Sequence, residues 1–325
     1  MIPKQLNSLH VAMNCSRHSP DYFLPGAPYF FNTSFTFTKN ECMRWIGNRE
    51  SDNVEDRRGG SGKGVAMGSG IGGIIIVLIY LFMGGDPTQV MNLLQNSAPT
   101  QTSAAPRSAK EEKLASFTKV VLGLTETVWD SIYQSKGNSY EKPTLVMFSG
   151  QVQSEGCGAA SSASGPFYCP GDRKVYIDLS FFNELSQKLN APGEFAMAYV
   201  IAHEVGHHLQ TLNGTSQKVN SARKRLSEKE FNQLSVKLEL QADFLAGVWA
   251  HHANKLRDIL DPGDLESALN AANSIGDDRL QKQSKGYVVP DAFTHGTSKQ
   301  RMYWFKKGFD TGDPNQGNTF SSIDE

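Results

Sequence analysis

Apolar positions along this chain keep two rhythms. From Lys113 to Ser135, Leu114, Phe117, Val121, Leu124, Val128 and Ile132 recur at three- and four-residue intervals, which predicts an amphipathic helix. The same spacing runs from Glu194 to Leu212, with Phe195, Ala198, Ala202 and Leu209 as its core candidates and Asn213-Gly214 as its stop. A third helix is expected from about Ser227 to His252, opened by the capping box Ser227-Glu228-Lys229-Glu230. Asp264 to Gln283 reads as another, and Ser298 to Arg301 opens a last amphipathic helix over Met302 to Phe309. Between the first two helices the rhythm shortens. Thr144 to Phe148 reads as a strand, and Lys174 to Asp178 alternates with period two after the Cys169-Pro170-Gly171 turn. No internal repeat is visible.

One stretch has no rhythm because it has no polar face. Gly64 to Gly85 carries no charge and includes the run Ile71 to Met83. That is long enough for a transmembrane helix, which needs about 20 residues for roughly 30 Å of hydrocarbon. A cleaved signal peptide would have a shorter apolar region and a small-residue cleavage site. Arg44, Arg49, Arg57, Arg58 and Lys63 precede the run, whereas the first basic residue after it is Arg107. Positive residues stay inside, so residues 43–63 are expected in the cytoplasm, 64–85 in a bacterial inner membrane as a single pass, and the rest outside, in the periplasm of a two-membraned cell. Residues 86–110, rich in Gln, Ser, Thr, Ala and Pro, read as a flexible tether to one domain over 111–325. Residues 1–42 lack periodicity, and translation is expected to start at Met43, the upstream segment being an extension.

The candidate chemistry lies in the second helix, at His203-Glu204-Val205-Gly206-His207. Histidines four apart stand one turn above each other on one helix face, so both imidazoles can point at a single ion. Glu204 beside them is placed to hold the water that such an ion activates, and to take its proton. Gly206 costs about 1 kcal/mol relative to alanine in mid-helix, which predicts a close approach of another backbone or a ligand there.

A catalytic zinc needs a third protein ligand and one open position. Asn213, six residues past His207, is not the third histidine of a metzincin. The following helix offers Glu239 and Asp243 instead, one turn apart in a mostly apolar setting. Glu239 completes a His2Glu set, and Asp243 is expected to accept the free ring N–H of a ligating histidine. The alternative is a solvated acidic stripe. His208 points about 100 degrees away from the pair and reads as a packing or surface residue. Farther on, His295 in Pro290 to Ser298 is a candidate donor to a developing oxyanion, or else a structural loop histidine. Arg301 is a candidate brace for the acidic site or a substrate contact.

Cys157 and Cys169 bracket the Gly/Ser/Ala-rich segment 158–168. A disulfide there would be worth about 3 kcal/mol in the chain-entropy picture. Paired metal ligation is the alternative, but no neighbouring Cys or His completes a four-ligand set. Cys15 and Cys42 precede the apolar run and are expected to be reduced.

Met43 to Arg58, Gly165 to Pro170, His203 to His207, Glu239 to Asp243 and Thr294 to Gly296 together resemble the YpfJ-like neutral zinc metallopeptidases of bacterial envelopes. The resemblance implies a membrane-anchored protease-like domain of the gluzincin type and supports the same metal set. The expected fold is α+β, a zincin-like (gluzincin) domain with an HExxH helix and a glutamate-bearing helix, preceded by one transmembrane helix. In gluzincins an edge strand beside the zinc helix holds the substrate backbone; Val175 to Asp178 is the candidate here, or an internal strand without substrate contact.

With 39% hydrophobic and 20% charged residues and a net charge of -1, the composition is that of an ordinary globular protein. It gives no support for nucleic-acid binding. The expected activity is hydrolysis of peptide bonds in the cell envelope, with Zn2+ held by His203, His207 and Glu239, Glu204 as general base and a peptide or protein as substrate. A cell-wall amidase would use the same residues. A catalytically silent, zinc-stabilised module that binds envelope partners is the alternative from another class.

Overall fold

The computed structural model describes residues 43–59, 107–161, 165–189 and 191–321. Its class is α+β. In chain order come β1 (Val54–Asp56), α1 (Ala109–Ser135), β2 (Thr144–Phe148), β3 (Gln151–Ser154), β4 (Gly158–Ser161), β5 (Phe167–Cys169) and β6 (Lys174–Asp178). They are followed by α2 (Phe181–Gln187), α3 (Glu194–Leu212), α4 (Thr215–Ala222), α5 (Glu228–Arg257), α6 (Asp264–Ser274), α7 (Asp277–Lys285) and α8 (Ser298–Thr311).

The centre of the fold is α3, which packs on α1, α4, α5, α6 and β5. A helix with neighbours on so many sides is apolar nearly all round: Phe195, Ala198, Tyr199, Ile201 and Val205 have no exposed surface. Phe195 stacks on Trp249 of α5, and Tyr199 meets Phe305 of α8 edge-on at 5.1 Å. Two close approaches fix the helices around it. A Cβ on Gly206 would lie 3.0 Å from the Ala242 carbonyl oxygen, so the mid-helix glycine lets α5 come against α3 beside the histidines. Gly247 and Gly308 face the backbones of α8 and α5 in the same way, which draws Arg301 up to Asp243.

Four strands form a sheet in the order β1-β2-β6-β5, with β1 and β2 parallel, β2 and β6 parallel, and β5 antiparallel to β6. Phe167 lies opposite Tyr176. The strand over Lys174 to Asp178 is thus internal, paired on both sides, and among the described residues the unpaired edge of the sheet beside α3 belongs to β5. The candidate for strand addition moves accordingly. Strands β3 and β4 make a separate hairpin. Cys157 in its turn is disulfide-bonded to Cys169 of β5, with Cα atoms 5.9 Å apart.

The helix expected over Asp264 to Gln283 is two helices. They break at Ile275-Gly276, where Gly276 turns extended (φ -70°, ψ 143°), and a Cβ there would lie 2.4 Å from the Ser298 backbone nitrogen.

The placement of the N-terminal segment is also corrected. Residues 43–58 are part of the domain. Met43 and Trp45 are buried in the main core, Trp45 edge-on to Phe117 at 5.5 Å, and its indole N–H donates to Glu194. Val54 pairs with Leu145, and Arg58 is buried against Asp56. A single membrane crossing between residues 59 and 107 would put β1 and β2 on opposite sides of a bilayer, yet they share a sheet. Among the described residues no helix is long and apolar enough to cross a membrane. The expected single-pass inner-membrane placement, with a cytoplasmic 43–63 and a periplasmic domain, is therefore withdrawn. The run 64–85 lies outside the described residues, as do 1–42 and 60–106.

Candidate metal centre

His203 and His207 stand one turn apart on α3, and Glu239 reaches them from α5. One ring nitrogen from each histidine and a carboxylate oxygen of Glu239 lie within 4.8 Å of one another. His203 Nε2 is 3.2 Å from Glu239 Oε2 and His207 Nε2 is 3.4 Å from Oε1. Donors held at about 2.0–2.1 Å from a tetrahedral zinc stand roughly 3.3 Å apart, so this set fits the ion.

The other ring nitrogens are tied down. His203 Nδ1 donates to Asp243 Oδ1 at 2.8 Å, and His207 Nδ1 donates to Gln210 Oε1 at 2.9 Å. Both bonds fix the tautomer that leaves Nε2 free to face Glu239. Asp243 has no exposed surface and is itself fully engaged. Arg301 donates from Nε to Oδ2 at 2.8 Å and from Nη2 to Oδ1 at 2.9 Å, and the Tyr199 hydroxyl donates to Oδ1. Gln210 is locked in turn, its Nε2 donating to the Leu238 carbonyl at 2.7 Å.

Charge follows this geometry. Burial disfavours a protonated His203, but the Asp243 carboxylate and Glu239 outweigh it and raise the imidazole to about 10 in the metal-free protein. His207 is likewise raised, against burial, by Glu239. Burial acts to raise Asp243, yet Arg301 and His203 pull it down to about 2. Glu239 is held well below the usual carboxylate range by the two histidines, despite burial. Metal uptake at neutral pH must then displace the proton that His203 carries.

A cavity of about 420 Å³ opens over this group, with His203, Glu204, His207, Glu239, His295 and Arg301 in its lining. Glu204 and His295 thus share a cavity with the three metal-facing side chains. His295 is half exposed, and its Nδ1 faces Asp277 Oδ1 at 3.3 Å. That bond raises its pKa. Asp277 Oδ2 also accepts the backbone N–H groups of Thr294, His295 and Gly296, so one carboxylate gathers three successive residues of the loop. Arg301 braces Asp243, its exposure only 2%. His208 is buried away from the cavity, donating from Nε2 to the Glu141 carbonyl, and burial lowers its pKa.

Three contributors were not singled out in the sequence. Tyr199 and Gln210 carried a usable signal, four residues before His203 and three after His207 on the same helix. Asp277 carried none, because its partners lie on a distant loop.

No solved structure matches the chain at a significant level. YpfJ of Escherichia coli (strain K12), described as uncharacterized, is 51% identical over 286 residues, covering 86% of this chain and 99% of that protein. Rv2575 of Mycobacterium tuberculosis (strain ATCC 25618 / H37Rv), also described as uncharacterized, is 41% identical over 205 residues, covering 60% of this chain and 68% of its own. Over residues 43–320 the chain matches the family described as "putative neutral zinc metallopeptidase", and it belongs to that family.

Proposed function

We propose that the chain is a zinc-dependent peptidase of the gluzincin type, hydrolysing peptide bonds of peptide or protein substrates. The observation that carries the reading is the convergence of His203, His207 and Glu239 beneath a cavity that Glu204 and His295 also line. The scaffold supports it: two ligands on α3, the third on α5, and an antiparallel edge strand, β5, in the cavity lining.

Zinc, when bound, supplies Lewis acidity that polarises a carbonyl and lowers the pKa of a coordinated water to about 7. The chain's own groups do the rest. His203, His207 and Glu239 hold the ion, with Asp243 and Gln210 setting the two rings. The Glu204 carboxylate accepts the attacking water's proton and returns it to the leaving nitrogen. His295, its Nδ1 turned to Asp277, offers Nε2 to the oxygen that gains charge. The unpaired edge of β5 receives the substrate backbone.

The test compares Glu204→Gln with the parent for zinc content and for cleavage of a mixed panel of unfolded proteins. Zinc is expected to remain stoichiometric while hydrolysis falls by about 10²- to 10⁴-fold, the range for losing a general base. A His295→Ala variant should also keep its zinc and lose less activity. Undiminished cleavage by Glu204→Gln would refute the assigned base.

A further inference from the structure

A second cavity, of about 230 Å³, lies past His207 where the end of α3 meets α1, α5 and the C-terminal segment at 314–317. It shares no lining residue with the cavity over the metal-facing side chains. Carboxamides dominate its polar lining: those of Asn138, Gln210, Asn213, Gln241 and Asn315. Beside them stand two aromatic side chains of α1, Trp129 and Tyr133. Among the described lining residues there is no carboxylate, and Lys136 is the one cation. Its ammonium donates to Asn315 Oδ1 at 3.4 Å and lies in the field of Asp313, the neighbour of Pro314. A cationic ligand would lose water here without gaining a counter-charge, and an anion would find only a cation that is already shared.

The amides are partly engaged and partly open. Gln210 Nε2 donates to the Leu238 carbonyl at 2.7 Å and to Gln241 Oε1 at 3.2 Å, and Gln241 Nε2 donates to the Gly317 carbonyl at 3.0 Å. Asn213 Oδ1 accepts the Tyr133 hydroxyl. The Asn213 Nδ2 group and the Asn138 carboxamide have no hydrogen bond among the described residues. Gln210 Oε1 takes one bond, from His207 Nδ1, and an amide oxygen has two lone pairs. The open groups are thus both donors and acceptors, as hydroxyls are, and the aromatic side chains supply apolar surface for the carbon frame between hydroxyls. The volume is below the roughly 300–1,000 Å³ that drug-sized ligands fill, which suits a single ring.

We propose that this cavity binds a small uncharged polyhydroxyl compound, one sugar-sized ring, and that Gln210 makes it an effector site for the metal centre. Among the described residues Gln210 alone both lines this cavity and bonds a metal-facing side chain. A ligand hydroxyl on the open lone pair of Oε1 holds the amide in the orientation that accepts from His207 Nδ1. That orientation also keeps His207 Nε2 free for the ion. The cost of ordering Gln210 is then shared, so ligand and zinc each tighten the other, by the same factor. The coupling rests on the metal-centre reading; the ligand class does not.

The experiment titrates the full chain, zinc-loaded and zinc-free, with methyl glucoside in a calorimeter. Glucosamine, glucuronate and cyclohexanol serve as cationic, anionic and apolar counterparts of the ring. Methyl glucoside is expected to bind at one site at least fivefold tighter than each counterpart, and at least threefold tighter with zinc than without. Asn138→Ala, at an exposed position after α1, should weaken it at least fivefold while zinc stoichiometry and the unfolding midpoint stay as in the parent. No binding, equal or tighter binding of any counterpart, or undiminished binding by Asn138→Ala would overturn the site. Equal affinities with and without zinc would overturn the effector role of Gln210. If the chain takes up no zinc, the metal-centre reading fails, and the cavity stands only if the Asn138-dependent preference for methyl glucoside remains.

Discussion

At the floor of the cavity each metal-facing imidazole is held by an acceptor that is itself held. Asp243 behind His203 takes two bonds from Arg301, and Gln210 behind His207 is pinned by a backbone carbonyl. At the rim the supports are fewer. Among the described residues strand β5 pairs on one edge only, with a disulfide at its end, and the backbone of the His295 loop at 294–296 is gathered by the carboxylate of Asp277. The floor is built on two long helices around a buried ion pair, the rim on a three-residue strand and loops. This division suits a site that must keep donor positions to a fraction of an ångström while admitting a variable chain.

The strongest way to break the comparison is to attack the floor's central charge. Asp243→Ala leaves Arg301, itself 2% exposed, without its partner. Removing one member of a buried pair costs about 3–5 kcal/mol because the other charge stays buried. Urea unfolding should report a loss of that order, and zinc affinity should fall by about 10- to 100-fold as His203 loses its orienting acceptor. An unchanged midpoint would mean that the rigidity of the floor does not reside in this pair.

A pH series on metal-free and zinc-loaded protein sharpens the same point. Without metal, His203 is raised to about 10 from its ordinary 6.5. A raised folded-state value gives stability that is complete below pH 6.5 and drains away as pH climbs through about 10. Metal-free protein should therefore lose stability across that alkaline window. With zinc bound the imidazole is neutral and has no such proton to lose, so the window should be flat. On the acid side Asp243, lowered to about 2 from 3.8, gives stability that is present above pH 3.8 and lost towards pH 2. That is about 2 kcal/mol. Parallel alkaline curves for the two forms would show that His203 is not held as a cation in the empty site.

The two regions also differ in how much of them the sequence revealed. The floor was legible because its parts are local. His203, Glu204 and His207 fall within five consecutive residues, Glu239 and Asp243 within one turn, and helical periodicity says which side chains share a face. Gly206 could even be read as a point of close approach, which Ala242 supplies. The rim depends on partners far apart in sequence. Nothing local says that Lys174 to Asp178 is paired on both sides, or that Asp277 gathers three N–H groups from 294–296. The N-terminal segment was misplaced for a related reason. Basic residues before an apolar run satisfy a topology rule, whereas the pairing of Val54–Asp56 with β2 is a non-local fact about three residues.

The smallest effect should come from the rim's disulfide, and it tests whether floor and rim are separable. Cys157 is exposed and Cys169 is buried in β5, and the chain between them supplies Gly165 to Tyr168 to the cavity lining. Closing a loop of about that size removes roughly 3 kcal/mol of chain entropy in the unfolded-state picture. Much of that should remain compensated in the folded protein, because Phe167 stays stacked on Tyr176 and Tyr168 is hydrogen-bonded to His208. A Cys157→Ser/Cys169→Ser double variant should then bind zinc with unchanged stoichiometry and keep kcat within about twofold. Its KM should rise by about three- to tenfold, since the freed strand must be ordered again each time a substrate adds to its edge. A fall in kcat with zinc loss would instead mean that β5 props up α3, against which it packs. The floor would then owe part of its geometry to the rim.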